Sequence, residues 1–194
     1  MKRVFVILTT AALTCGLPSL ARGQTAPERF QGSVVDVGGA VPNRSSAHFT
    51  LHVDEYSTFE EVEKLLQVFL EGGSQALDKA LFDTEAKGWI RIGNSLGYHV
   101  AVVRSLDTEN GRVIRAVTDR PIQMFEVMRG LRSADHTLGF LEFTLDEKGK
   151  GSGQLVAAAK INIDKEGALS LESLGTRAFR LMRVSKMKIK DKKK

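Results

Sequence analysis

Beyond its first thirty residues the chain is written mainly in alternation. Residues 47–53 place His48, Thr50 and His52 on one side and Phe49, Leu51 and Val53 on the other, the period of a half-buried strand. Runs of the same kind occupy 30–37, 89–92, 98–104, 112–118, 137–146, 153–163, 168–174 and 179–186. Glycine-rich and polar breaks separate them, and Asn110-Gly111 is a favoured hairpin dipeptide. Residues 122–128 fit a strand or one helical turn equally well. The regular recurrence of turns predicts an antiparallel meander, curved or closed into a barrel.

One stretch, 57–82, departs from this period. Ser57-Thr58-Phe59-Glu60 reads as a capping box, with the Ser57 hydroxyl on the Glu60 amide. Glu60, Glu61 and Glu63 sit where a helix dipole favours acid. Phe59, Val62, Leu65, Leu66, Phe69 and Leu70 follow at helical spacing, predicting one apolar face packed on the sheet. Gly72-Gly73 is a stop signal. Ser74 caps a second helix carrying Ala76, Leu77, Ala80 and Leu81. The expected fold is therefore α+β: an antiparallel curved sheet or barrel-like meander with an inserted αα-hairpin, in a single domain over 24–185. The acidic polar face of the hairpin argues against an anionic membrane as its partner.

Residues 1–23 read as a signal peptide: Lys2 and Arg3, an apolar run over 4–13, then Ala21-Arg22-Gly23 before the expected cut. This predicts a secreted or periplasmic protein. Cys15 is the only cysteine, and the residues before it, Ala12-Leu13-Thr14, do not form a bacterial lipidation signal. The formal charge of +5 over 194 residues is concentrated at the ends. Residues 186–194 hold six Lys against Asp191, whereas the body carries slightly more acid than base. A nucleic-acid domain is basic on its folded surface, so nucleic acid is not an expected partner. The tail reads as solvated, with at most peripheral contact to an anionic surface.

The sequence offers little chemistry. It contains no Gly-x-Ser-x-Gly elbow, His-Glu-x-x-His pair or Walker phosphate loop. On a strand, His48 and His52 lie about 13 Å apart, too far for one metal ion. His99 and His136 are the candidate general bases, His136 beside Asp135, but neither comes with a nucleophile. Arginines crowd the central third. Arg91, His99 and Arg115 are the candidate ligand-binding residues, since guanidinium groups clamp carboxylate or phosphate. The competing expectation pairs the arginines with Asp107, Glu109, Asp119 and Glu126 at the rim. No cofactor or metal is expected.

Ser95-Leu96-Gly97-Tyr98, Thr118-Asp119-Arg120-Pro121-Ile122, the Gly149-Lys150-Gly151 turn and Leu171-Glu172-Ser173-Leu174-Gly175-Thr176 with Arg180-Leu181 resemble a recurring pattern in a family of exported bacterial proteins. No activity, ligand or catalytic residue is established for that family. The resemblance implies export and a single domain and carries no site across. The sequence thus points to an exported, non-enzymatic ligand-binding or interaction domain, meeting a small ligand or an envelope component. A small hydrolase or isomerase using His99 or His136, and an envelope protein held by its Lys tail, are the alternatives.

Overall fold

A computed structural model describes residues 27–36, 46–109, 111–122, 136–163, 169–173 and 178–188. Its elements are β1 (Glu28–Val35), β2 (Ser46–Val53), α1 (Phe59–Asp83), β3 (Gly88–Ile92), β4 (Tyr98–Thr108), β5 (Gly111–Thr118), β6 (Leu138–Leu145), β7 (Lys150–Ile163), β8 (Leu169–Ser173) and β9 (Phe179–Lys186). Strands β1 to β7 pair in sequence order apart from the helical insertion, and β7 then pairs with β9 and β9 with β1. The sheet is therefore a closed, eight-stranded antiparallel barrel. Strand β8 lies outside the ring, paired with the far half of β7. The sequence left open sheet and barrel undecided; the β7–β9–β1 pairings settle it.

An eight-stranded barrel has a lumen just wide enough to be filled by side chains. Alternate residues fill it here: Phe30, Phe49, Ile90, Ile114, Phe143 and Leu181 are each 0% exposed. Phe30 and Phe143 meet edge to face, 5.3 Å between centroids, a favoured aromatic geometry. A second core forms outside the barrel. Phe69, Leu77 and Leu81 of α1 pack on Ala101, Leu138, Phe140, Val156 and Ala159 of β4, β6 and β7, and Thr137 Oγ1 donates to Asp78 Oδ1 at 2.5 Å.

Three expectations are corrected. The helical hairpin is a single helix kinked at Gly73, where φ is 70° and ψ −165°. Gly73 is the one residue within it that leaves helical dihedrals, so the helical segments on either side join at that kink without an intervening loop. Nor is the face of α1 uniformly buried. Phe69 is buried, but Phe59 and Leu70 are 66% and 61% exposed, because a helix lying on a convex barrel touches it along a narrow line. Finally, strand parity in β4 does not run straight through. A β-bulge between Val100 and Val102 turns Val102 outward towards α1 and Val103 into the lumen, the local bend such an extra residue causes.

Candidate functional site

Glu28 and Arg112 belong to strands on opposite sides of the ring, β1 and β5. Both share the inward parity of lumen residues, Glu28 with Phe30 and Arg112 with Ile114. They meet across one mouth of the barrel in a two-pronged pair: Arg112 Nη1 donates to Glu28 Oε1 at 3.0 Å and Nη2 to Oε2 at 2.7 Å. Arg112 Nε donates to Ser105 Oγ at 2.5 Å, and Nη2 also to the Tyr56 hydroxyl at 2.7 Å. Tyr56 Oη and Lys186 Nζ both donate to the Glu28 carboxylate. The Arg112 guanidinium lies 5.3 Å from the Tyr56 ring centroid. Donors from three parts of the chain, β5, β9 and the segment after β2, thus converge on one carboxylate of a residue that is 3% exposed.

Burial by itself raises a carboxyl pKa, but the Arg112, Lys186 and Tyr56 hydrogen bonds outweigh it and hold Glu28 at about 2, against an ordinary 4.5. The Tyr56 phenol is pushed up by burial and by the adjacent carboxylate. Because the folded value lies below the unfolded one, the stabilisation is complete above pH 4.5 and drains away as pH falls towards 2. That span corresponds to about 3 kcal/mol from this one group. Urea midpoints measured from pH 6 down to pH 2 are expected to show this fall in the native chain and to lose it in Glu28→Gln; parallel pH profiles for the two proteins would refute the assignment.

The linker between β2 and α1 completes that rim. Ser57, not its neighbour, was expected to cap the helix; instead Thr58 is the N-cap. Thr58 Oγ1 accepts from the Glu61 amide at 3.2 Å, and Glu61 Oε2 accepts from the Thr58 amide at 2.8 Å. Ser57 is drawn into the wall: its amide donates to Val103 O at 2.8 Å and its hydroxyl accepts from the Val103 amide at 3.1 Å. It thereby supplies the backbone partner that short β3 cannot reach. Lys87, 7% exposed, bonds Glu61 Oε1 at 2.7 Å and Glu55 Oε2 at 3.2 Å, tying the cap to the barrel.

The other polar grouping lies on the outer wall. Strand register sets Arg29 opposite His52, His52 opposite Trp89 and Trp89 opposite His99, a row across four strands spanning about 14 Å. Arg29 Nε donates to His52 Nδ1 at 3.4 Å, and His52 Nε2 meets Asp54 Oδ1 at 2.9 Å, which puts the ring proton on Nε2. His52 and Trp89 lie 5.5 Å apart between centroids. Arg91, next on β3, lies over the Trp89 ring at 5.3 Å, a cation–π contact.

Of the expected ligand-binding trio, Arg91 and His99 share this wall. Arg115 does not: it stands opposite Arg104, roughly 15 Å along the strands from His99, and its Nε bonds Glu142 Oε2 at 2.6 Å. His99 is 69% exposed, its Nδ1 3.8 Å from Asp119 Oδ2, on a convex surface. His136 is half-buried just before β6. Of the rim pairs expected for the arginines, Arg120 Nε lies 3.9 Å from Asp119 Oδ1, whereas Arg112 pairs with Glu28 and Arg115 with Glu142. Glu126 and Asp135 fall outside the described residues, as do residues 1–26 and 189–194; Lys186, the first residue of the expected tail, belongs to β9. Sequence reading missed Glu28, Tyr56 and Lys186. Glu28 carried a usable signal, since it continues the inward parity of Phe30 and Val34 at one end of the strand, as Asp36 does at the other.

Among the described residues no three His, Cys, Asp or Glu side chains gather as a metal set. A shallow depression lined by Glu109, Asp146, Glu147 and Lys148 lies at two hairpin tips. No protein-family model, curated protein or solved structure matches the chain. The likeness to a family of exported bacterial proteins therefore stands on its sequence motifs alone.

Proposed function

We propose that the protein is an exported, non-enzymatic interaction domain that works through the outside of its barrel. The observation that carries this reading is the lumen, packed with fully buried Phe, Ile and Leu side chains and closed at one mouth by the Glu28–Arg112 cluster. Small-ligand barrels need an emptier interior. The polar groups that are held rigid inside are spent on one another, which is architecture and not a poised acid–base pair. What remains available lies outside: the Arg29–His52–Trp89–His99 row, and the exposed Phe59 and Leu70 of α1. The leader pattern at residues 1–23 supports export.

Native mass spectrometry of the protein recovered from the exporting cell tests the reading. The expected spectrum shows the chain shortened at its N-terminus and carrying no stoichiometric small molecule. A retained lumenal ligand would overturn the outside-working reading. Ester or amide turnover that disappears in His99→Ala would replace it with the hydrolase alternative.

A further inference from the structure

The charge on the barrel is unevenly distributed. Strands β9, β1, β2 and β3 together contain one acidic residue, Glu28, and it points into the lumen. Their outward positions carry Arg29, Arg91, Arg180 and Arg183, with Gln31, Thr50 and His48 among them. Among the described residues none of those four arginines has a carboxylate partner, while Arg112 and Arg115 elsewhere on the barrel do. Two of them are pre-oriented: Arg29 by His52, itself fixed by Asp54, and Arg91 by the face of Trp89. The body of the chain is slightly acidic, so four neighbouring strands without an outward acidic residue are a local feature, although Asp54, one residue past β2, meets His52 at their edge.

We propose that this β9–β1–β2–β3 wall docks an acidic polysaccharide, its carboxylates on Arg29 and Arg91 and its hydroxyls on the neutral polar side chains between. The inference rests on the reading of an outside-working interaction domain and names that domain's partner. Complementarity of charge selects an anion, and planar guanidinium groups suit carboxylates. The wall is open and convex, so the ligand must be extended to touch several strands at once. Each wall strand is hydrogen-bonded on both sides, leaving no edge on which a peptide adds a strand. The exposed large apolar side chains lie on α1, on the loop at Leu96 and at Leu106, with Met182 of β9 the one such residue in the wall, too little apolar surface for a lipid bilayer. Few cations and no exposed aromatic series are present for a nucleic-acid backbone. Gln31, Thr50 and His48 suit a hydroxyl-rich chain.

Trp89 is the single tryptophan and sits in the wall, so its fluorescence reports occupancy directly. The full exported chain is titrated at low salt with a polyuronate, with neutral dextran, with poly-glutamate and with single-stranded DNA. The expected result is saturable change with the polyuronate only, weakened by added salt. The double variant Arg29→Ala/Arg91→Ala is expected to raise the polyuronate Kd at least about tenfold, whereas Lys64→Ala on α1 leaves it unchanged. Arg91→Glu, a change at an exposed position, gives a second reading should the double variant fold poorly. No saturable binding, equal binding to poly-glutamate or DNA, or a Kd unmoved by the arginine variants would each overturn the proposal. If the lumen proves empty by native mass spectrometry while polyuronate does not bind, only the partner falls; a retained lumenal ligand removes the underlying reading as well.

Discussion

Arg112→Ala is expected to lower the free energy of unfolding by about 3 kcal/mol, the lower part of the range for breaking a buried pair. The loss comes less from the missing attraction than from what is left behind. Glu28 stays 3% exposed, and its remaining donors are Lys186 and Tyr56. Lys186 is half exposed and is tied into β9, so it compensates in part, which is why the top of the range is not expected. With a urea m-value of about 2 kcal/mol/M for a domain of this size, the midpoint should fall by about 1.5 M. Glu28→Gln/Arg112→Met removes both charges and is expected to recover most of the loss, giving a coupling energy above about 1.5 kcal/mol. A deficit for Arg112→Ala under about 1 kcal/mol, the size of an exposed pair, would show that the mouth is wet and that Glu28 does not cross-brace the barrel.

Gly153→Ala is expected to cost about 3 kcal/mol as well, by crowding and not by lost contact. Gly153 stands opposite Phe143 on β6 and opposite Leu181 on β9, where β7 is paired on both sides and a register shift separates it from Gly151. A Cβ there would lie 2.0 Å from Glu142 O and 2.5 Å from Phe143 Cα. These are backbone atoms that no rotamer change can move, so the strand itself must shift. That shift opens the seam through which the sheet becomes a ring. Thermal or urea denaturation should therefore register the loss, with faster amide exchange at Glu142 and Phe143. Ser152→Ala, one residue away and exposed, should stay within about 0.5 kcal/mol. Near-native stability of Gly153→Ala would show that β6 and β7 have room the structure does not display.

Much of the strand content was readable because the alternation of residues is a direct consequence of a two-sided sheet. His48, Thr50 and His52 do face outward and Phe49, Leu51 and Val53 inward, and 111–118 does pair back on 98–108. The helix was readable from its apolar spacing, and the box of Thr58 and Glu61 was one residue from the expected one. That residue matters physically. Ser57 and Thr58 each have a Glu three positions on, so local chemistry does not separate them; the Val103 backbone, left without a β3 partner, takes Ser57 and leaves the cap to Thr58. The bulge in β4 was unreadable for a similar reason, since nothing in Val100-Ala101-Val102 distinguishes an extra residue from a regular strand.

The candidate sites divide in the same way. Arg91 and His99 were found by residue type, but their neighbours Arg29, His52 and Trp89 join them only through register across four strands. Arg115 was grouped with them because sequence reading cannot measure distance along a sheet. Glu28 and Arg112 are 84 residues apart and become partners only when the barrel closes.

By itself, then, the sequence determined the strand faces, the helix and the lack of a recognisable catalytic motif, because each is set within a few residues by periodicity or by the presence of a side-chain type. Only the tertiary structure decided the ring, the single kinked helix, the ion pair bracing the mouth and the wall of four strands without an outward acid, because each depends on pairings between distant strands, and pairing energy is spent once, on whichever backbone partner closure brings within reach.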